Sequence, residues 1–393
     1  MKHILENLFL LASLLALPNL VFAAPAVSSV NGTLIHGSSI TISGSGFGAK
    51  SQAAPAVWDN ASATNLATHW DGWWPNTGTA AYQVHYTTPI NGVALPHPHV
   101  SQYIAGAHGD SAGSNDGYNV MIWKDIPTIT YPTIIYMSSY WQIDPRWNSS
   151  LGSPQDNNFK LFDYSNGSSP YTMQTTGTNC NSNWYLCYAA GTMFTASMSP
   201  EWIFNDDGGI NSCSLDSPDS NGHTLWWNGG ANALGHWIKT EYEIRIARDS
   251  TGYIRIWDNG TLVLNYAGPT DGMTGATKSI ALGGYARAYG ASTQFRYFSD
   301  IYFDTTPQRA VICAGSTWAN RGLCEVQVPS AWSDSSITVK VNQASFADAS
   351  SKYLYVVDAS GNASAGKQIT FGSSGGGGGD TTPPAAPTGL HVK

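Results

Sequence analysis

The segment KTEYEIRIARD carries charged side chains at every second position. If it is a β-strand, Tyr242 and Ile244 point to one face, and Glu243 and Arg245 point to the other. SSYWQID and GGYARAYG alternate in the same way, with tyrosine, glutamine or arginine on one face. Sugars suit such a face, because aromatic rings stack on their C–H groups while polar side chains bond their hydroxyls. The predicted ligand-binding residues are Tyr140, Gln142, Glu243, Arg245, Tyr285 and Arg287.

Two other interpretations of these residues remain open. The polar face could be a solvated outer surface with cross-strand Glu–Arg pairs and no ligand. It could also serve a polysaccharide lyase, which needs a group that neutralises a uronate and a tyrosine or histidine that moves a proton. Arg245, Arg287, Tyr285 and Gln142 are of the right types for that reaction, but no catalytic residue is assigned.

A short segment with closely spaced histidines could be a metal-binding site. His97-Pro98-His99, with His108 nearby, could ligate a metal ion, although a loop pair without an acidic neighbour is also typical of plain surface. The sequence therefore predicts no cofactor with certainty.

The N-terminal segment predicts export. Lys2 and His3 precede an apolar run from Leu8 to Leu17, and Val21-Phe22-Ala23 follows it, which is typical of a signal peptide cleaved before Ala24. The run is short for a membrane span, so we expect no membrane insertion and a secreted or cell-surface location. A net charge of −8 and a pI of about 5.6 argue against a nucleic-acid partner.

Five cysteines in an exported chain predict disulfides with one thiol left over. Cys180 and Cys187 bracket one short loop, and Cys313 and Cys324 bracket another, so each pair could close its own loop. Cys213 is then the unpaired cysteine. Metal ligation is the rival interpretation, but neither C-x₂-C spacing nor a nearby histidine pair supports it.

Two distant segments resemble halves of one IPT/TIG domain, an immunoglobulin-like sandwich. VSSVNGTLIHGSSITISGSGFG resembles the opening strands, and WSDSSITVKVN followed by KYLYVVDASGN resembles the later strands. Neither half has enough strands to close a sandwich alone. The resemblance implies one discontinuous domain made of residues 24–54 and 307–372. An isolated N-terminal hairpin with a separate C-terminal β-domain is the alternative.

The intervening residues 55–306 resemble concanavalin A-like/laminin G jelly rolls. The resemblance rests on Trp237-Ile238, on GYIRIWDNG with its hairpin signal, and on Tyr302-Phe303-Asp304. It implies a β-sandwich and no particular activity. Such folds often bind a structural calcium ion where the first and last strands meet, which makes Asp59 and Asp304 candidate ligands.

Activity motifs of jelly-roll enzymes are incomplete here. The two-carboxylate strand motif of laminarinase-type hydrolases is approached only by Glu241-Tyr242-Glu243. The alginate-lyase strand motif is echoed by Glu241-Tyr-Glu243-Ile-Arg245, without its partner motif. An enzyme is therefore less expected than a binding protein, and a lyase is the expected class if catalysis occurs.

These observations predict an all-β chain with a jelly roll, a smaller immunoglobulin-like sandwich and a disordered tail. The expected divisions are a signal peptide at 1–23, first immunoglobulin-like strands at 24–54, the jelly roll at 55–306, the remaining strands at 307–372 and a Gly/Pro-rich linker at 373–393. The expected function is recognition of a polysaccharide or cell-surface glycan. A lyase acting on uronate polymers and a structural or adhesive protein without a sugar site are the alternatives.

Overall fold

The computed structural model describes residues 24–76, 79–108, 119–126, 133–145, 158–163, 184–187, 233–246, 250–267, 278–285 and 294–372. These residues are nearly all β and form sandwich-type sheets, so the all-β prediction is confirmed. The signal peptide, Cys180, Cys213, Arg287 and the Gly/Pro-rich tail lie outside the described residues.

Among the described residues, occasional 3-10 helices lie between the strands, as at Leu66–Thr68. In chain order they are β1 (Ala26–Gly32), β2 (Ser39–Ser45), β3 (Val57–Asp59), β4 (Gly72–Trp74), β5 (His85–Thr87), β6 (Tyr103–His108), β7 (Asn119–Ile126), β8 (Thr133–Ile143), β9 (Asn158–Asp163), β10 (Trp184–Cys187), β11 (Ile238–Ile246), β12 (Tyr253–Asp258), β13 (Thr261–Ala267), β14 (Lys278–Tyr285), β15 (Gln294–Asp304), β16 (Arg309–Cys313), β17 (Cys324–Trp332), β18 (Ser336–Lys340), β19 (Ser351–Val357) and β20 (Lys367–Thr370).

Residues between Val57 and Asp304 form two facing sheets, which we call the large sandwich. The eight-stranded sheet has the order β13-β12-β11-β8-β15-β6-β5, with β3 pairing β15, and the five-stranded sheet has the order β10-β9-β14-β7-β4. Apolar positions at every second residue explain the packing: Met137 and Ile244 on one sheet share a core with Ile122 and Leu282 on the other. The alternate positions of β8 and β11 point to the outer face of the eight-stranded sheet.

Strands from both ends of the described chain form a second body, the small sandwich. β2 pairs with β18 along Ile40↔Val339 and Ile42↔Ile337, while β16 pairs with β17 and β19. The strands follow one continuous order, β1-β2-β18-β17-β16-β19-β20, in which the first half of β17 pairs with β16 and its second half pairs with β18. Val30, Leu34, Ile40 and Ile42 pack in one core with Ile312 and Val356 and other residues of the later segment. The chain therefore passes between the sandwiches twice, at residues 46–56 and 305–308.

The two sandwiches pack directly against each other. Tyr136 and Tyr302 from the outer face of the eight-stranded sheet lie in one buried cluster with Val311, Val326 and Tyr355 of the small sandwich. The predicted Cys313–Cys324 disulfide is present in the same cluster and closes the loop between β16 and β17.

Candidate functional site

The predicted sugar groove does not open to solvent. Tyr140, Gln142 and Glu243 lie on the outer face of the eight-stranded sheet, as alternation predicted, yet each is only 4% exposed. The small sandwich and the loop between β5 and β6 cover this face. The sequence pattern of polar residues at every second position is the same for an open groove and for a polar interface, which is why the prediction differs from the structure.

Tyr140 contacts the small sandwich through a buried carboxylate. Its hydroxyl donates to Glu325, and the Lys239 ammonium pairs with the same glutamate. Both partners of the Lys239–Glu325 pair are buried, with side chains 3% and 0% exposed. Burial and then the Glu325 charge raise the pKa of Tyr140 well above its ordinary value, so the hydroxyl stays protonated and remains a donor.

Glu243 is the partner of an arginine from the small sandwich. Its Oε2 accepts from Arg309 Nη2 at 2.9 Å, and the Arg309 guanidinium lies 3.9 Å from the centre of the Tyr136 ring. Burial alone lowers the pKa of Arg309, but the Glu243 charge and then Tyr136 outweigh it and raise the pKa. The guanidinium therefore stays charged and fixes Glu243 in place, away from any ligand.

A second arginine of the small sandwich contacts the same strand. Arg321 Nη2 lies 3.4 Å from Glu241 Oε2, and its guanidinium lies between the rings of Trp257 and Trp318, at 4.3 Å and 4.4 Å. Glu241 also accepts from the Tyr136 hydroxyl at 3.0 Å. Lys239, Glu241 and Glu243 of β11 thus each pair with a charged residue of the small sandwich.

The predicted calcium ligands do not form a site. Strand pairing places Asp59 opposite Ile301, on the core side of the sheet, whereas Asp304 lies on the outer side. Asp59 accepts from Trp70 Nε1 at 2.7 Å and from the Tyr86 hydroxyl at 2.8 Å. Because two carboxylates on opposite faces cannot share one ion, the calcium prediction differs from the structure.

Asp304 is instead held by a lysine at the first crossing between the sandwiches. Lys50 Nζ lies 2.6 Å from Asp304 Oδ2, and the Tyr302 hydroxyl donates to the same oxygen at 3.1 Å. Burial raises the pKa of Asp304 above its ordinary value, although the Lys50 charge opposes the shift. Among the described residues no group of three or more histidine, cysteine, aspartate or glutamate side chains could hold a metal ion.

The remaining predicted residues lie apart from the interface. Tyr285 is the last residue of β14 in the five-stranded sheet, whereas Arg245 is on β11 in the eight-stranded sheet. Arg287 lies outside the described residues. Gln142 pairs in register with Tyr297, beneath the residues of the 88–102 loop. Of the members whose side chains are described, Tyr140, Gln142 and Glu243 are covered and Arg245 is half-buried, so they do not form one open groove.

Arg245 differs from the covered residues of the predicted set, because it is half-buried and lines a pocket. The pocket lies where the small sandwich stops covering the outer face of the eight-stranded sheet. The pocket has a volume of about 250 Å³. Its lining comes from both bodies and from the second crossing: Thr133, Ile134, Arg245, Thr306, Pro307, Gln308 and Ala359.

The neighbouring strand adds a tyrosine and an arginine beside Arg245. Tyr253 pairs in register with Arg245, and the Arg255 guanidinium lies 4.1 Å from the centre of the Tyr253 ring. The Tyr253 hydroxyl donates to Glu243 Oε1 at 3.2 Å, and burial followed by the Glu243 charge raises its pKa. The pocket therefore combines a guanidinium, hydroxyls and an amide with an aromatic ring nearby.

Sequence reasoning missed the small-sandwich side of the interface. Lys50, Arg309, Arg321 and Glu325 are all nine-tenths or more buried and pair with the large sandwich. A signal was available, because Arg309 begins the otherwise apolar strand β16 and Glu325 lies between Cys324 and Val326 in β17. A charge at such a position requires a buried partner of opposite sign.

No protein-family model matches this chain, and no curated protein matches it. Among solved structures it is similar to an endo-β-1,4-glucuronan lyase from the fungus Trichoderma reesei, at 14% identity and a TM-score of 0.40, covering 64% of this chain and 96% of the lyase. It is also similar to alginate lyase Aly36B, at 12% identity and a TM-score of 0.39, covering 64% and 97%.

A third similar structure is the carbohydrate recognition domain of Emp46p. The identity is 8% and the TM-score is 0.37, with 64% of this chain and 97% of that domain covered. Likenesses at this level do not define a function for the chain. Among the described residues no helix is long and apolar enough to cross a membrane.

Proposed function

We propose that this chain is an exported, polysaccharide-recognising β-sandwich protein that binds its glycan in the pocket around Arg245. The observation that carries the proposal is the position of Arg245. It is the described member of the predicted set that lines a pocket open to solvent, while Tyr140, Gln142 and Glu243 are covered.

The chemistry of the pocket suits a sugar. Arg245 brings a planar, forked guanidinium to the pocket, and the Thr133 and Thr306 hydroxyls, which already donate to Thr305 O and Gln308 Oε1, keep oxygens that can accept from a sugar hydroxyl. A volume of about 250 Å³ is at the small end for ligand sites, so the pocket would take a single sugar residue of a longer chain. Tyr253 pairs in register with Arg245 on the neighbouring strand, and the ring face that Arg255 leaves uncovered would give a neighbouring sugar an apolar surface.

A structural or adhesive role is the second candidate, and a specific observation favours it. Buried ion pairs fasten the two sandwiches: Lys50–Asp304, Lys239–Glu325, Arg309–Glu243 and Arg321–Glu241. Such fastening produces a rigid body whether or not a ligand binds. The lyase alternative lacks comparable support, because Arg245, Gln142 and Tyr285 do not converge.

The test is a glycan array screened with residues 24–393, followed by titration of the best glycan against variants. We expect Arg245→Ala to weaken binding about 5- to 150-fold, because loss of the fork leaves sugar hydroxyls unpaired at a cost of about 1–3 kcal/mol. Lys367→Ala is the matched control, since it removes one positive charge from the edge strand β20, away from the pocket. It should leave affinity unchanged.

Three results would contradict the proposal. Unchanged affinity of Arg245→Ala for the best glycan would remove the pocket from the site. An array without any bound glycan would favour the structural role. Growth of ultraviolet absorbance on uronate polymers would favour the lyase, because β-elimination leaves an unsaturated uronate.

A further inference from the structure

Imidazoles from both sandwiches meet at one edge of their interface. His36 lies in the turn between β1 and β2 of the small sandwich, and His97 and His99 lie in the 88–102 loop of the large sandwich. The rings of His36 and His99 are stacked, with centroids 4.3 Å apart and planes inclined by 9°. The His97 ring is 6.3 Å from that of His99 and meets the Tyr140 ring edge-on at 5.6 Å.

The hydrogen bonds of this group suit uncharged rings. His36 Nδ1 accepts from the backbone N–H of Gln343 at 3.4 Å, and His97 Nδ1 accepts from the N–H of His99 at 3.3 Å. A protonated imidazole has no acceptor nitrogen, so the bond to His36 requires the neutral form of that ring. His97 Nε2 contacts the buried Asp300 carboxylate.

The surrounding charges are mixed and do not compensate two cations in the stack. His36 is close to His97, Asp300 and Lys340, while His99 is close to His97, Asp300 and Asp348. Asp300 is already engaged by His97, and Asp348 accepts from the side chain of Gln343 at 2.9 Å. Placing a charge on both stacked rings therefore adds direct repulsion across the boundary between the sandwiches.

We propose that the His36–His99 stack is an acid-sensitive contact: protonation separates the two rings and loosens the 88–102 loop from the small sandwich. That loop covers the outer face of β6 and β15, where Val93 packs against Tyr103, Ala105 and Tyr297. Acid would therefore expose the region of Tyr140 and Gln142, which is sealed at neutral pH.

The direction of the pH effect follows from the two rings. Burial, and then the neighbouring histidines, lower the pKa of His36 and of His99 below the ordinary 6.5. At pH values between the ordinary histidine pKa of 6.5 and the lowered pKa values of these two rings, the folded protein therefore binds fewer protons than the unfolded chain. The contribution of the neutral rings to the free energy of unfolding is complete above pH 6.5. It is lost as the pH falls from 6.5 through the lowered pKa values.

The test is amide hydrogen exchange on the whole mature chain at about pH 7.5 and about pH 5.5, corrected for the intrinsic pH dependence. We expect peptides covering 91–100 and the Gln343 amide to exchange faster in acid than at neutral pH after that correction, because protonation weakens the contact that protects them. The double variant His36→Phe/His99→Phe keeps stacked rings without titrating nitrogens, so its acid response in 91–100 should disappear.

The exposed His236 supplies the control. His236→Phe removes a histidine outside the stack and should retain the full acid response. His99→Asn is a second variant that removes the charge without relying on ring packing, and its response should fall as well. Equal protection of wild-type 91–100 at both pH values, or an undiminished response in the double variant, would overturn the proposal.

Discussion

At the scale of single residues, the interface depends on buried charges that need their partners. The side chains of Arg309 and Glu243 are 2% and 5% exposed, and Arg255 Nη1 approaches Glu243 only at 3.4 Å. Removing the Arg309 side chain would leave the Glu243 carboxylate buried, with Arg255 at 3.4 Å as its ionic partner. The penalty is therefore set by the uncompensated charge and exceeds the net value of the pair.

We expect Arg309→Ala to lower the free energy of unfolding by about 3–5 kcal/mol in chemical denaturation. The control is Lys124→Ala, which breaks a pair of similar length, 2.8 Å to Asp71, with side chains 28% and 38% exposed. Because solvent screens that pair, its loss should cost at most about 1 kcal/mol. Equal effects of the two variants would show that the Arg309 pair is not sealed from water.

At the scale of elements, the loop between β16 and β17 fastens one body to the other. The Cys313–Cys324 bond closes this loop, which carries Trp318 and Arg321 to the large sandwich. The hairpin turn at Gly260 meets the same loop, and a Cβ there would lie 2.0 Å from the Gly322 carbonyl carbon. Gly260 also has a φ of +79°, which favours glycine. Both the close approach of Gly322 and the backbone conformation therefore require glycine at this position.

Replacing both cysteines, as Cys313→Ser/Cys324→Ser, should lower the free energy of unfolding by about 2–3 kcal/mol, because a short closed loop loses less entropy on folding. Thermal denaturation measures the loss, and mass mapping of non-reduced peptides checks the pairing. Cys213→Ser is the control and should be neutral, since that cysteine is predicted to be unpaired. A Cys213 bridge to either member of the pair would contradict this assignment. The Cys180–Cys187 bond stays a prediction.

At the scale of the whole molecule, the small sandwich is assembled from segments that are far apart in the chain. β1 and β2 contribute Val30, Leu34, Ile40 and Ile42 to its core, and β2 pairs along the length of β18. Without them β18 would present an unpaired edge and the core would be open on one side. That the domain belongs to the IPT/TIG type remains a prediction.

A fragment of residues 307–372 should therefore show no cooperative thermal transition in circular dichroism. Residues 24–50 joined to 307–372 through a short Gly-Ser linker should restore one, because the missing strands return. The control fragment replaces Ile40 and Ile42 with serine in the joined chain and should again lack a transition. A sharp transition in 307–372 alone would contradict the expectation.

Local patterns were enough for the fold class and for the faces of individual strands. The alternation of β11 correctly placed Tyr242 and Ile244 in the core and Glu241 and Glu243 outside it. What the pattern could not give was the neighbour of that outer face, because Arg309 and Arg321 lie more than sixty positions further along the chain. The alternation of apolar and polar residues along a strand predicts which side chains point away from the core. It does not predict whether those side chains contact water or another part of the protein.

The double crossing also determines how the molecule responds to pulling. Residues 24 and 372 both belong to the small sandwich, so tension between them is transmitted through the hydrogen bonds joining β2 to β18. The chain enters and leaves the large sandwich through 46–56 and 305–308, and Lys50 of the first crossing lies 2.6 Å from Asp304 beside the second. While the β2–β18 ladder lasts, the large sandwich lies outside the path of the load.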